Sequence, residues 1–138
     1  MTPETVALIK ASWAKVKPIS DQAAGLFYDR LFEIYPEVRP LFKGDMQEQG
    51  RKLMAMINTA VSALDDLDPA VPVIKDMGAR HAGYGVSPED YDKVADALLW
   101  TLEQGLGDDF TPEVKAAWAE VYGVLAGTML AGAAERGA

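Results

Sequence analysis

A chain of 138 residues with 21 acidic and 13 basic side chains carries a net charge of −8, which repels phosphate backbones and anionic lipid headgroups and makes nucleic acid and membranes poor partners. It has no cysteine, so disulfides, thiolate zinc sites and iron–sulfur clusters built from this chain alone are excluded. The length suits one domain over 1–138; no apolar run reaches spanning length and no signal-peptide order is present, so the cytoplasm is the expected location.

Thr2-Pro3-Glu4 is a helix start: the hydroxyl caps an orphan N–H, proline sits where its missing N–H costs nothing, and the acid faces the positive end of the dipole. Val6, Ile9, Trp13 and Val16 then recur at helical spacing as far as Pro18. Ala23, Leu26, Phe27, Leu31 and Ile34 predict a second helix ended by Pro36, where a proline-broken corner runs over 36–42. Leu53, Met56, Ile57, Ala60 and Leu64 predict another amphipathic helix. A shorter one from about Pro69 ends at His81, with Gly83 and Gly85 turning the chain away.

Ser87-Pro88-Glu89 repeats the start signal and leads Val94, Leu98 and Leu102 toward a stop at Gly105 and Gly107. Thr111-Pro112-Glu113 repeats it again before Val114, Trp118, Val121 and Leu125 in a long last helix. Trp13, Trp100 and Trp118 read as core. No stretch alternates with period two, and Val71-Pro72-Val73-Ile74 is interrupted by its proline. The fold class is all-α, with six to seven helices of unequal length.

His81 is the chain's one histidine, and such a residue taken alone reads as a satisfied core or surface group. A zinc-protease helix and a carboxylate-bridged di-iron bundle each need two. No Gly-x-Ser-x-Gly elbow exists to expose a nucleophile. The glycines at 83 and 85 lack the strand before and helix after of a dinucleotide loop, and the acidic run Asp65-Asp66-Leu67-Asp68 meets Pro69 where a calcium loop would continue.

Axial ligation of a haem iron needs a single histidine: the porphyrin supplies four ligands and the protein one imidazole, with a small polar set on the other face. Met77, one turn before His81, would lie against the ring. This chain alone cannot provide two imidazoles or a thiolate, so the sixth position is empty or taken by water, a gas, methionine, tyrosinate or an outside ligand.

"LFYDRLFEIYPEVRPLF" over 26–42, "QGRKLM" over 49–54, "ARHAGYGVSPEDY" over 79–91 and "AAWAEVYGVLAG" over 116–127 resemble, in order, the bacterial single-domain haemoglobins, which are similar to the globin domain of flavohaemoglobins. The resemblance implies the globin fold around a buried haem b (iron protoporphyrin IX). It matches His81 to the proximal iron ligand, Phe42 to the phenylalanine at the haem edge and Tyr91 to a tyrosine near the proximal histidine. On the distal side it matches Tyr28, Gln49 and, roofing the pocket, Leu53. Read without it, Tyr28 is a core tyrosine with a satisfied hydroxyl, Gln49 a solvated residue and Phe42 simply core.

Two functions follow from the resemblance. One is reversible binding of oxygen, nitric oxide or carbon monoxide for storage, transport or buffering. The other is a nitric oxide dioxygenase, whose iron must be re-reduced each cycle; the globin occupies all 138 residues, so the reductase is expected to be a separate protein. In the flavohaemoglobin pattern a last-helix glutamate pairs with the proximal histidine. Here that position falls on Ala133, and Glu135 lies two residues, or about 200°, further round the helix. Without a carboxylate on it the imidazole pushes less electron density toward iron, which favours reversible binding. Arg51, Lys52 and Arg80 either reach haem propionates or are solvated charges.

Overall fold

A computed structural model describes residues 2–42, 44–83 and 86–137. Its α-helices are α1 (Pro3–Val16), α2 (Ser20–Ile34), α3 (Met46–Ser62), α4 (Val71–Gly83), α5 (Pro88–Leu106) and α6 (Pro112–Gly137), joined partly by short 3-10 turns.

Thr2 Oγ1 accepts from the N–H of Thr5 at 3.1 Å, and Thr111 Oγ1 from that of Val114 at 3.2 Å. At Ser87 both halves of a capping box are present, the Asp90 carboxylate accepting from the Ser87 N–H at 2.9 Å because an acid at the third helical position reaches back to the cap. Asp45 caps α3 through the N–H of Gln47. The stop of α5 falls at Gly107, whose φ of +56° is a conformation that side-chain-bearing residues rarely adopt.

The helix bearing His81 differs from its expected bounds at both ends. Asp68–Ala70 forms a 3-10 turn and α4 proper begins at Val71, with Pro72 tolerated in the first turn. At the other end α4 continues past His81 through Gly83, since one glycine costs a helix only about 1 kcal/mol. The N–H of Val86 then donates to the carbonyl of His81 at 3.1 Å, satisfying one of the last orphan acceptors. The turn expected at Gly85 lies outside the described residues.

The main core draws Ile9, Trp13 and Val16 from α1, Phe27, Tyr28 and Leu31 from α2, Met54 and Ile57 from α3, Leu98 and Leu102 from α5, and Trp118 and Val121 from α6. Both buried indoles have acceptors: Trp13 Nε1 donates to Asn58 Oδ1 at 3.0 Å and Trp118 Nε1 to Ser12 Oγ at 2.8 Å. Trp100 departs from the core expectation; it is half-buried, with the Arg30 guanidinium 5.1 Å from its ring centre, a cation–π contact that suits a wet edge better than a dry interior.

A second, smaller core consists of Ile74 of α4, Tyr91 of α5 and Met129 of α6, with Met77, Val86 and Leu130 against it. Leu125 packs on both cores. α4 leans on α6 more closely than any other two helices approach, and α3 and α4 make no extensive contact with each other. The two helices carrying the expected distal and proximal residues therefore stand apart.

Candidate functional site

His81 is half-buried in the last turn of α4. Its Nδ1 lies 2.6 Å from the carbonyl oxygen of Met77, one turn back. A carbonyl can only accept, so Nδ1 carries the proton and a neutral imidazole then has its lone pair on Nε2, the nitrogen able to coordinate a metal. Around it, Arg80 pairs with Asp76 at 3.0 Å, while Glu135 of α6 reaches Lys75 at 3.0 Å.

Met77 thus contributes its carbonyl to His81, while its side chain packs on the second core beside Tyr91. Tyr91 is buried there, and burial pushes its phenol above the ordinary tyrosine range. Its own carbonyl accepts from the Tyr122 hydroxyl at 2.6 Å. Burial, followed by the nearby Tyr91 and Asp92, raises the Tyr122 phenol strongly. Nothing in the spacing of "AWAEVYGVLAG" marks Tyr122 as more than one residue of a helical stripe; its bond is to a backbone atom 31 residues away.

Tyr28 is 8% exposed, and burial pushes its phenol up to about 12. Its hydroxyl donates to the backbone carbonyl of Gln49 at 3.5 Å. The two residues matched to the distal side thus meet through the Gln49 backbone. Gly50 brings the two helices this close: a Cβ there would sit 2.9 Å from that of Ala24. Gln49 is half-buried, and Leu53, one turn on, packs on the main core.

Phe42 lies edge-on to Tyr28 at 5.4 Å and to Phe32 at 5.4 Å, and Phe32 stacks on Tyr28 at 5.9 Å. The proline corner is held by Arg39, which donates to the Phe42 carbonyl at 2.9 Å and lies 5.1 Å from the centre of the Phe32 ring. Phe32 and Arg39 are residues that sequence reasoning passes over, because one looks like generic core and the other like solvated charge. The Tyr28 ring also walls a cavity of about 510 Å³ between α2 and α3. Lys52 pairs with Glu48 at 3.6 Å.

Tyr28 meets both Phe42 and the Gln49 backbone, Leu53 packs on the same main core, and Met77 and Tyr91 belong to the second. A flat apolar macrocycle requires two apolar walls, one lone-pair nitrogen and a confined polar donor. The split core, the His81 tautomer and the buried Tyr28 phenol fit that requirement. Among the described residues, no three histidine or carboxylate side chains converge to hold a metal ion by themselves. No described helix is long and apolar enough to cross a membrane.

The family model for globins matches residues 25–129. The flavohemoprotein of Bacillus subtilis strain 168 is 32% identical over 126 residues, covering 89% of this chain and 32% of its own length. That of Rhizobium meliloti strain 1021 is 32% identical over 129 residues, covering 91% of this chain and 32% of its own. The chain thus spans about a third of the length of these flavohemoproteins. The neuroglobin of Tetraodon nigroviridis is 31% identical over 144 residues, covering 94% of this chain and 91% of its own. The solved structure of an engineered carbene transferase, a variant of RmaNOD from Rhodothermus marinus, superimposes with a TM-score of 0.88 and 28% identity over 98% of this chain and 94% of that one.

Proposed function

The chain belongs to the globin family of haem-binding proteins, and from that premise we propose that it holds haem b through His81 and binds oxygen or another diatomic gas reversibly beside Tyr28 and Gln49. When bound, the haem iron supplies the gas-binding centre. Every other part of the task falls to the chain.

His81 would hold the iron through Nε2, and the Met77 carbonyl keeps the proton on Nδ1. Phe42, Leu53 and the residues of the second core, Met77 and Tyr91 among them, supply apolar walls that hold the macrocycle and keep water out. The Tyr28 phenol stays protonated until about pH 12, so at neutral pH its O–H serves as a donor. A guest that gains negative charge on that face is held by roughly 1.5–3 kcal/mol per hydrogen bond of this kind. Gln49 stands by as a second donor.

The observation that carries this reading is the 2.6 Å bond from His81 Nδ1 to Met77, which turns the chain's single imidazole into an oriented base. The visible spectrum of the purified, reduced protein tests it, with and without carbon monoxide. A haem spectrum that shifts with the gas, and is absent in His81→Ala, is expected. A colourless protein, or one whose pigment ignores the His81 change, overturns it.

A second reading, nitric oxide dioxygenation supported by a reductase, is favoured by the likeness to flavohemoproteins and to the RmaNOD variant. Reversible binding ranks first because the last-helix acid Glu135 is engaged by Lys75 and Ala133 carries no carboxylate. Sustained nitric oxide consumption at flavohaemoglobin rates, given a reductase, reverses the ranking.

A further inference from the structure

Gly78 of α4 and Gly132 of α6 are both buried, each against the backbone of the other's helix. A Cβ on Gly78 would fall 1.8 Å from the carbonyl oxygen of Met129 and 2.5 Å from its Cα. One on Gly132 would fall 2.1 Å from the carbonyl oxygen of Lys75 and 2.5 Å from its Cα. Met129 precedes Gly132 by the same three residues that separate Lys75 from Gly78, so the contact is reciprocal, one glycine per helix. Gly123 and Gly127, also on α6, have nothing within 4 Å of such a Cβ. The close approach is therefore specific to the crossing, which the Lys75–Glu135 pair at 3.0 Å flanks.

We propose that Gly78 and Gly132 are positioning residues for His81, setting how far and at what angle its imidazole stands from α3. Side chains between two helices adjust by changing rotamer; two backbones in direct contact have no such freedom, and Cα–H···O contacts add to their fit. His81 lies three residues beyond Gly78, and the carbonyl orienting it belongs to Met77, the residue before that glycine. Displacing α4 at Gly78 thus moves the imidazole and its hydrogen-bond acceptor as one body. The position at which flavohaemoglobins carry a glutamate is Ala133, next in sequence to Gly132, whose own contact is with Lys75, six residues before His81. In this chain the placement of α4 carries the orienting role.

The inference rests on His81 being the axial ligand, and the test keeps the two separable. Haem-loaded wild type, Gly78→Ala, Gly132→Ala and the control Gly127→Ala are compared by the resonance Raman iron–histidine band of the reduced protein and by the rate of haem transfer to apomyoglobin. Either crossing variant is expected to shift or broaden the band and to lose haem roughly 10- to 100-fold faster, the size of effect seen when a ligand's supporting contacts are disturbed. Gly127→Ala should match wild type. If the crossing variants fail to take up haem, Glu135→Gln keeps both glycines and removes the Lys75 pair that holds the two helices together beside the crossing, and a broadened band with haem loss a few-fold faster is expected. An unchanged band in haem-loaded Gly78→Ala, or in Glu135→Gln where the glycine variants fail, overturns the inference alone. So does a Gly127→Ala shift of equal size. A wild type with no iron–histidine band overturns the functional reading and this inference with it.

Discussion

The hydroxyl of Tyr28 meets the backbone carbonyl of Gln49 at 3.5 Å, the outer limit of a hydrogen bond. A bond that long holds the phenol weakly, so the O–H can turn toward a guest at little cost. Tyr28→Phe keeps the ring against Phe27, Phe32 and Phe42 and removes only the hydroxyl. The expected stability change is under about 1 kcal/mol. Oxygen release, by contrast, should accelerate by roughly one to two decades, as befits a lost hydrogen bond to a charged acceptor. Stopped-flow oxygen displacement beside a denaturant titration reads both; an unchanged off-rate removes Tyr28 from the mechanism.

The same phenol makes an alkaline prediction. Burial holds Tyr28 protonated until about pH 12 in the native protein, while the unfolded chain's tyrosines ionise near 10. Between those values the unfolded state has released a proton that the folded state keeps, so stability falls as pH rises. The contribution is fully present below pH 10 and lost through 12, at most on the order of 3 kcal/mol for this group. Tyr122, raised by burial and by Tyr91 and Asp92, adds to the same slope. Unfolding free energies from pH 9 to 12 should decline less steeply in Tyr28→Phe than in wild type.

Local signals in the sequence are legible because their chemistry is local. Thr2, Ser87 and Thr111 each begin a helix, and Gly107 ends one with a positive φ. The contacts that organise the site were hidden for the opposite reason. Glu135 finds Lys75 across 60 residues, and Gly78 meets Met129 across a helix pair whose register no single-chain periodicity encodes. His81 was singled out by being alone, but its tautomer became visible only with the Met77 carbonyl placed beside it. Gln49 shows the same limit: it is matched by position alone, and that its backbone oxygen is what meets Tyr28 is visible only in the fold.

Ser12 offers a stability test away from the site. It is 5% exposed, donates to the carbonyls of Leu8 or Ile9, and accepts from Trp118 Nε1 at 2.8 Å. Ser12→Ala leaves the indole N–H buried without an acceptor, which costs about 1–3 kcal/mol. A denaturation midpoint lowered accordingly, with carbon monoxide rebinding unchanged, is expected. A loss of gas kinetics would instead tie the Trp118 region to the site.

Replacing His81 with glycine separates ligation from orientation. The variant should lose pigment and regain it with added imidazole, which can fill the vacated space and present a lone pair. Imidazole also carries an N–H, and the Met77 carbonyl that accepts at 2.6 Å from the native ring is there to receive it. 1-Methylimidazole has the same lone pair but no N–H, so in its complex that carbonyl goes without its partner. A net hydrogen bond of about 0.5–1.5 kcal/mol predicts rescue by the methylated base roughly three- to tenfold weaker on titration of the reduced variant. Equal rescue by the two bases would mean that the Met77 carbonyl adds nothing to holding the axial ligand, and that α4 places His81 by position alone.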